Sequence, residues 1–198
     1  MMNKMNCLIF DDHPLVSVAI KSLVESLDIA NEVMTATSSK EALRILKGSI
    51  GLLILDVNLA DCDGYDFYKR IKSHGFNGKV IFFSAETSHM YSQMAFRSGA
   101  DGYVCKSENH EILKDAIEAV MKGYSFFKFK QTVEEDRNVP MLSSRESAVM
   151  KLLLQGKSNR DIADVLSISD KTVSTYKRRV MVKFNVKNIV ELSKVVDT

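Results

Sequence analysis

The chain has no tryptophan, two prolines and three cysteines among 198 residues. Cys7, Cys62 and Cys105 are odd in number and show no C-x-x-C spacing, so neither a disulfide framework nor a zinc site is supported. No apolar run approaches the ~18 residues a membrane helix needs; the longest, such as 51–55, suits a buried strand. The opening MMNKMNCLIF meets Asp11-Asp12 without a small-residue cleavage site, so no signal peptide is read and a cytoplasmic location is expected. His13, His74, His89 and His110 fall on separate segments, which predicts surface positions rather than a metal cluster. Low-complexity tracts and internal repeats are lacking as well.

What remains is an ordinary globular composition, 45% hydrophobic and 26% charged. The length suits one or two domains of ~100–150 residues. A net charge of +2 conceals a division of sign. Residues 1–128 hold 14 Lys+Arg against 16 Asp+Glu, whereas residues 140–198 hold 11 against 6 and are basic. The polar stretch 129–139, without a helical apolar stripe and followed by Pro140, reads as a linker between two domains.

In the first part, short apolar runs alternate with amphipathic segments: 7–10 then 14–27, 33–36 then 40–46, 52–55 then 65–72, 80–83 then 91–97, and 103–105 then 112–121. Five strands that each precede a helix require right-handed crossovers, hence an α/β fold with a doubly wound, flavodoxin-like parallel sheet. Such sheets place their chemistry at the carboxyl edge. The polar residues closing the strands are Asp11 and Asp12, Asp56, Ser84 and Lys106. Three clustered carboxylates repel one another, and Mg²⁺, a hard cation with oxygen ligands, is the expected relief. Lys106 and Ser84 are then expected to be free for an anion, so that an Asp56 oxygen can attack a phosphoryl group and form an aspartyl phosphate.

These residues resemble the receiver domain of two-component response regulators over residues 1–125. The match lies in Asp11-Asp12-His13-Pro14, Ile54-Leu55-Asp56-Val57-Asn58-Leu59, Ser84-Ala85 and the segment 98–106 ending Tyr103-Val104-Cys105-Lys106. The resemblance implies Asp56 as phosphoacceptor, and Asp11, Asp12, Asp56 and the Asn58 carbonyl around Mg²⁺. It also implies a switch of Ser84 and Tyr103, in which the hydroxyl shifts toward the phosphoryl group and the ring turns inward. One departure is Ala60, where the family usually has proline, and a differently shaped loop is expected there.

The second part reads as a small all-α domain. Ser143-Ser144-Arg145-Glu146 forms a capping box, Gln155-Gly156 ends that helix, and Ser158 caps a helix over 159–166. A turn at 167–169 leads to a third helix over 170–184, which gives helix-turn-helix spacing. On the third helix Val173, Tyr176, Val180 and Phe184 recur at three and four residues and face inward, leaving Lys171, Ser174, Thr175 and Arg178 outward. Residues 142–192 resemble the LuxR-type domain of the NarL/FixJ family, with the Val173-Ser174-Thr175-Tyr176-Lys177 pattern nearest the subgroup of EvgA, BvgA and FimZ. The resemblance implies that Ser174, Thr175 and Arg178 reach bases while Lys171, Thr172, Lys177 and Lys183 lie near phosphates. The segment 188–196 is expected to form core and to support a homodimer.

The combined reading is a response regulator: a receiver over 1–128, a linker over 129–139 and a DNA-binding domain over 140–198. Its expected partners are a sensor histidine kinase as phosphodonor, double-stranded promoter DNA and a second copy, with RNA polymerase as a further candidate. It is read as a switch and not an enzyme. A phosphotransfer enzyme of the haloacid-dehalogenase type is disfavoured, because Asn58 stands where that chemistry wants a second aspartate as general acid and because its nucleophile belongs on the first strand, not the third. The alternative from a different class is a DNA-binding regulator that works without phosphorylation and uses its N-terminal half only to dimerise.

Overall fold

The computed structural model describes residues 4–87, 89–128, 140 and 142–196; the linker expected at 129–139 lies outside them. Contacts divide the chain into two units, Met1–Phe129 and Lys130–Thr198, each described by itself below. No helix among the described residues is long and apolar enough to cross a membrane.

The first unit runs β1 (Met5–Phe10), α1 (Pro14–Ser26), β2 (Ala30–Ala36), α2 (Ser39–Ile45), β3 (Ile50–Leu55), α3 (Gly64–Ser73), β4 (Lys79–Ser84), α4 (His89–Ser98), β5 (Gly102–Cys105) and α5 (His110–Met121). The strands form one parallel sheet in the order β2-β1-β3-β4-β5. Side chains alternate along each strand. Cys7, Ile9, Leu52, Ile54, Ile81 and Val104 meet Ile20 and Val24 of α1 and Leu113, Ala116, Ile117 and Val120 of α5. Leu8, Phe10, Leu53, Leu55 and Phe82 are equally buried. On that face α3 packs through Phe67 on Phe10 and Tyr68 on Phe82, with ring centroids 4.9 and 5.8 Å apart. Each such burial stabilises the fold by about 1.5–3 kcal/mol, which explains strands that read as continuous apolar runs.

The second unit holds α6 (Ser144–Leu154), α7 (Asn159–Leu166), α8 (Asp170–Lys183) and α9 (Ile189–Val196). Its start signals work as the sequence suggests: Ser143 with Glu146, and Ser158 with Asp161, form reciprocal capping boxes. Ser169 caps α8 by accepting the Thr172 N–H. Ser167 sits at φ 52°, ψ 46°, the left-handed geometry that turns α7 into α8. Val149, Leu153, Ile162, Ala163 and Val173 form the core, with Tyr176 and Ile189 packed against it.

Candidate functional site

Phe10 pairs with Leu55, so the residues that follow, Asp11 and Asp56, emerge together at the carboxyl edge. Ser84 ends β4 beside Cys105, which places Lys106 next to them. The side chains of Asp11 and Asp56 are each 2% exposed, and the Lys106 ammonium lies 2.6 Å from Asp11 Oδ2 and 2.7 Å from Asp56 Oδ2. Lys106 thus bridges the two buried carboxylates, a pairing that residue order did not reveal. Burial raises the Asp56 pKa, a push that Lys106 only partly offsets. Burial works against the Lys106 charge, but hydrogen bonds to Asp11 and Asp56 and their negative charges outweigh it, so its pKa is raised. At the start of α3, a Cβ on Gly64 would come 2.2 Å from the Asp56 carbonyl, so this turn can approach the nucleophile only with glycine.

Ligand atoms of Asp11, Asp12, His13 and Asp56 all lie within 4.8 Å of one another. His13 lies at the surface as the sequence suggests, its side chain 63% exposed, and its ring Nδ1 also sits 3.0 Å from both Asp11 Oδ1 and Asp12 Oδ1, a contact not singled out from the sequence. Its place directly after the acidic pair was the available signal. Asp12 Oδ2 accepts the Ala60 N–H at 2.9 Å. A proline at that position has no such donor, so the departure from the family pattern ties the β3–α3 loop to the acidic pair. Asp12 Oδ1 is shielded and finds no hydrogen-bond partner among the described residues beyond contact with the His13 ring. The carboxylate oxygens of Asp11, Asp12 and Asp56 form a hard, oxygen-rich set that fits Mg²⁺. Asn58 adds its main-chain carbonyl to the expected set; its N–H donates to Asp56 Oδ1 at 3.3 Å and its side-chain amide to Glu86 at 3.1 Å.

Ser84 is fully buried and its Oγ accepts the Glu86 N–H at 3.3 Å. Tyr103 occupies the inward position, with its hydroxyl donating to the Glu86 carbonyl at 2.7 Å. Burial pushes its phenol well above the usual range, so it stays a neutral donor. Its main-chain N–H donates to the Phe126 carbonyl at 2.9 Å, and Phe126 N–H donates to Asp101. Phe127 meets Phe96 of α4 edge to face. Thus Tyr103 touches both the loop after β4 and the chain that leaves the unit. Glu86, the hub of these contacts, was not singled out from sequence because nothing local marks it.

On α8, Val173 and Val180 are buried while Lys171, Ser174 and Arg178 are exposed; Thr175 and Lys177 are half-buried. Residues 171, 174, 175 and 178 follow helical spacing and share one stripe. Thr172 is hydrogen-bonded to the Ser169 cap. Lys183 has a partner the sequence did not reveal: its ammonium lies 2.6 Å from Glu146 Oε2, a carboxylate 4% exposed that also accepts the Ser143 N–H at 2.7 Å. Burial opposes the Glu146 charge, but Lys183 and the Ser143 donors outweigh it and hold the carboxyl below the usual glutamate range. Lys183→Ala is therefore expected to lower the stability of the C-terminal unit by about 1–2 kcal/mol, since Lys183 is itself partly solvated. Thermal melts check this. The loss should be complete above the ordinary glutamate pKa and vanish as pH falls through the depressed folded value. Unchanged melting with uniformly weaker DNA binding would assign Lys183 to phosphates instead.

An edge of acidic, hydroxyl and ammonium groups on a flavodoxin-like sheet, followed in the same chain by a capped helix-turn-helix unit, is the arrangement of a receiver domain and a DNA-binding domain. Residues 7–118 match the response regulator receiver domain and residues 140–196 the bacterial regulatory proteins of the luxR family. The chain belongs to the two-component response regulators with a LuxR-type DNA-binding domain, and it is a transcription regulator. It is 34% identical to the DNA-binding transcriptional activator EvgA of Escherichia coli K12 over 95% of each chain. It is 38% identical to the Bordetella pertussis virulence-factor transcription regulator BvgA over 93% of each. Among solved structures it is similar to RcsB from Salmonella enterica serovar Typhimurium bound to promoter rprA with a beryllium fluoride phosphomimetic, at 27% identity and a TM-score of 0.69. That match covers 98% of this chain and 100% of RcsB. Two RcsB dimers bound to two parallel DNAs match with 28% identity and a TM-score of 0.62, over 98% and 100% of the two chains.

Proposed function

We propose that Asp56 accepts a phosphoryl group from the phosphohistidine of a sensor histidine kinase, and that this changes how a homodimer of the chain binds promoter DNA. The observation that carries the reading is Asp56 itself, a buried carboxylate at the sheet edge with one oxygen on Lys106 and the acidic pair Asp11 and Asp12 beside it. Asp11, Asp12, Asp56 and the Asn58 carbonyl would hold Mg²⁺, which supplies positive charge against phosphoryl oxygens when bound. A carboxylate oxygen of Asp56 forms the new bond to phosphorus as the bond from phosphorus to the histidine nitrogen breaks, and the imidazole leaves with that electron pair. Lys106 then exchanges its Asp56 contact for a phosphoryl oxygen while keeping Asp11. Ser84 donates its hydroxyl proton to another phosphoryl oxygen, and because Glu86 is hydrogen-bonded to both Ser84 and Tyr103, the resulting movement of this loop reaches the Tyr103 ring. The Tyr103 main chain is bonded to Phe126, so that movement is passed to the exit segment.

Support for the DNA partner comes from the exposed Lys171, Ser174 and Arg178 stripe and from the promoter complexes of RcsB; support for a homodimer comes from the RcsB dimers on DNA. A protein working on promoters acts in the cytoplasm, beside RNA polymerase. The test is the affinity of the full chain for duplexes selected from a random pool, with and without prior treatment by acetyl phosphate and Mg²⁺. Tighter binding after treatment, with an accompanying shift to dimer, is expected. Equal affinities would establish the regulator that works without phosphorylation.

A further inference from the structure

We propose that α8 carries a fixed hydrogen-bond polarity toward DNA, in which Asn159 positions Ser174 as a donor and the Lys171 carbonyl fixes Thr175 as an acceptor. The inference rests on the base-reading role given to α8 above. Asn159 is the first residue of α7 and half-buried. Its backbone is fixed by the preceding cap, where Asp161 Oδ2 accepts from Ser158 Oγ at 2.7 Å and from the Ser158 N–H at 3.1 Å. From that place its amide Nδ2 donates to Ser174 Oγ at 3.0 Å across the two helices.

A serine hydroxyl has one proton and two lone pairs. With a lone pair facing the Asn159 amide, the Ser174 proton is left to point away from α7, in front of the exposed stripe. Thr175 is set the other way. Its Oγ1 donates its single proton to the Lys171 carbonyl at 3.0 Å, so only lone pairs and the methyl group remain for a ligand.

In the major groove the acceptors are purine N7, guanine O6 and thymine O4; the donors are the amino groups of adenine and cytosine, and thymine adds a methyl. Ser174 therefore suits an acceptor edge. Thr175 suits an amino group or the thymine methyl. Asn159 touches no base in this arrangement; it acts through Ser174 as a positioning residue, and it selects which bases satisfy that hydroxyl.

The experiment selects duplexes from a randomised pool with the full chain and sequences the bound fraction for wild type, Ser174→Ala, Asn159→Ala and Asn159→Asp, with melting curves to show that each variant is folded. Ser174→Ala is expected to reduce base preference at one position of each half-site by about three- to tenfold, the worth of one net hydrogen bond. Asn159→Ala should reduce preference at that same position. Asn159→Asp should redirect it, because a carboxylate only accepts: the Ser174 proton turns to it, and the lone pairs face the groove and favour amino-bearing bases. If Ser174→Ala alters the position while both Asn159 variants keep the wild-type preference, the positioning role is overturned and base reading by α8 stands. A uniform loss over all sequences in Asn159→Ala, which marks a phosphate contact, overturns it too. If Ser174→Ala leaves every position unchanged, base reading by Ser174 falls, and the inference with it.

Discussion

Asp56→Asn is expected to take up no phosphoryl group from acetyl phosphate and Mg²⁺, whereas the wild type gains one by intact mass. The amide keeps the shape of the carboxylate but lacks the anionic oxygen that attacks phosphorus. The fold should persist, because the change removes one of two buried charges that Lys106 has to balance. Since burial already raises the Asp56 pKa, the folded chain tolerates a neutral group there well. The same variant should bind selected DNA with or without the phosphodonor at one unchanged affinity. Uptake by Asp56→Asn at the wild-type level would move the acceptor elsewhere.

Lys106→Ala should have the largest effect on stability. Deleting the ammonium leaves Asp11 and Asp56 facing each other at 2% exposure, and breaking a buried pair in this way costs about 3 kcal/mol or more. Hydrogen exchange of the β1 and β3 amides reads the loss, with the C-terminal unit as internal control. The pH dependence follows from the sign. Asp56 already has a raised folded pKa, and without Lys106 it rises further, so the variant loses stability as pH climbs from the ordinary aspartate range through the folded value. The deficit should therefore shrink in acid. Adding Asp56→Asn to Lys106→Ala should recover much of it; no recovery would mean that packing of the lysine stem, not charge, is what the site loses.

Much of this was legible in residue order. The five apolar runs became five strands within three residues at either end, because both faces of a parallel strand are buried and hydrophobicity marks it directly. The helix over 159–166 and the caps at Ser143 and Ser158 were readable because a cap is a contact between residues three apart. The convergence of Asp11, Asp56, Ser84 and Lys106 followed from topology alone, since each ends or follows a strand of one sheet.

Other features belong to separations that no local pattern encodes. Lys183 looked like one more cation on a basic helix, yet its partner Glu146 lies 37 residues away. Ala60 looked like a lost proline, and only the fold brings its N–H to Asp12, 48 positions earlier. His13 is the surface histidine it looked like, and only the turn after β1 brings its ring to both acidic neighbours. The sequence by itself determined which residues are apolar, where helices start and which polar groups close the strands, because these depend on period and near neighbours. Only the tertiary structure decided which charge meets which, that Tyr103 rests inward on Glu86, and that Asn159 reaches Ser174. A side chain's partner is chosen by what the fold places within about 3 Å, and hydrogen bonds and ion pairs act only at that range.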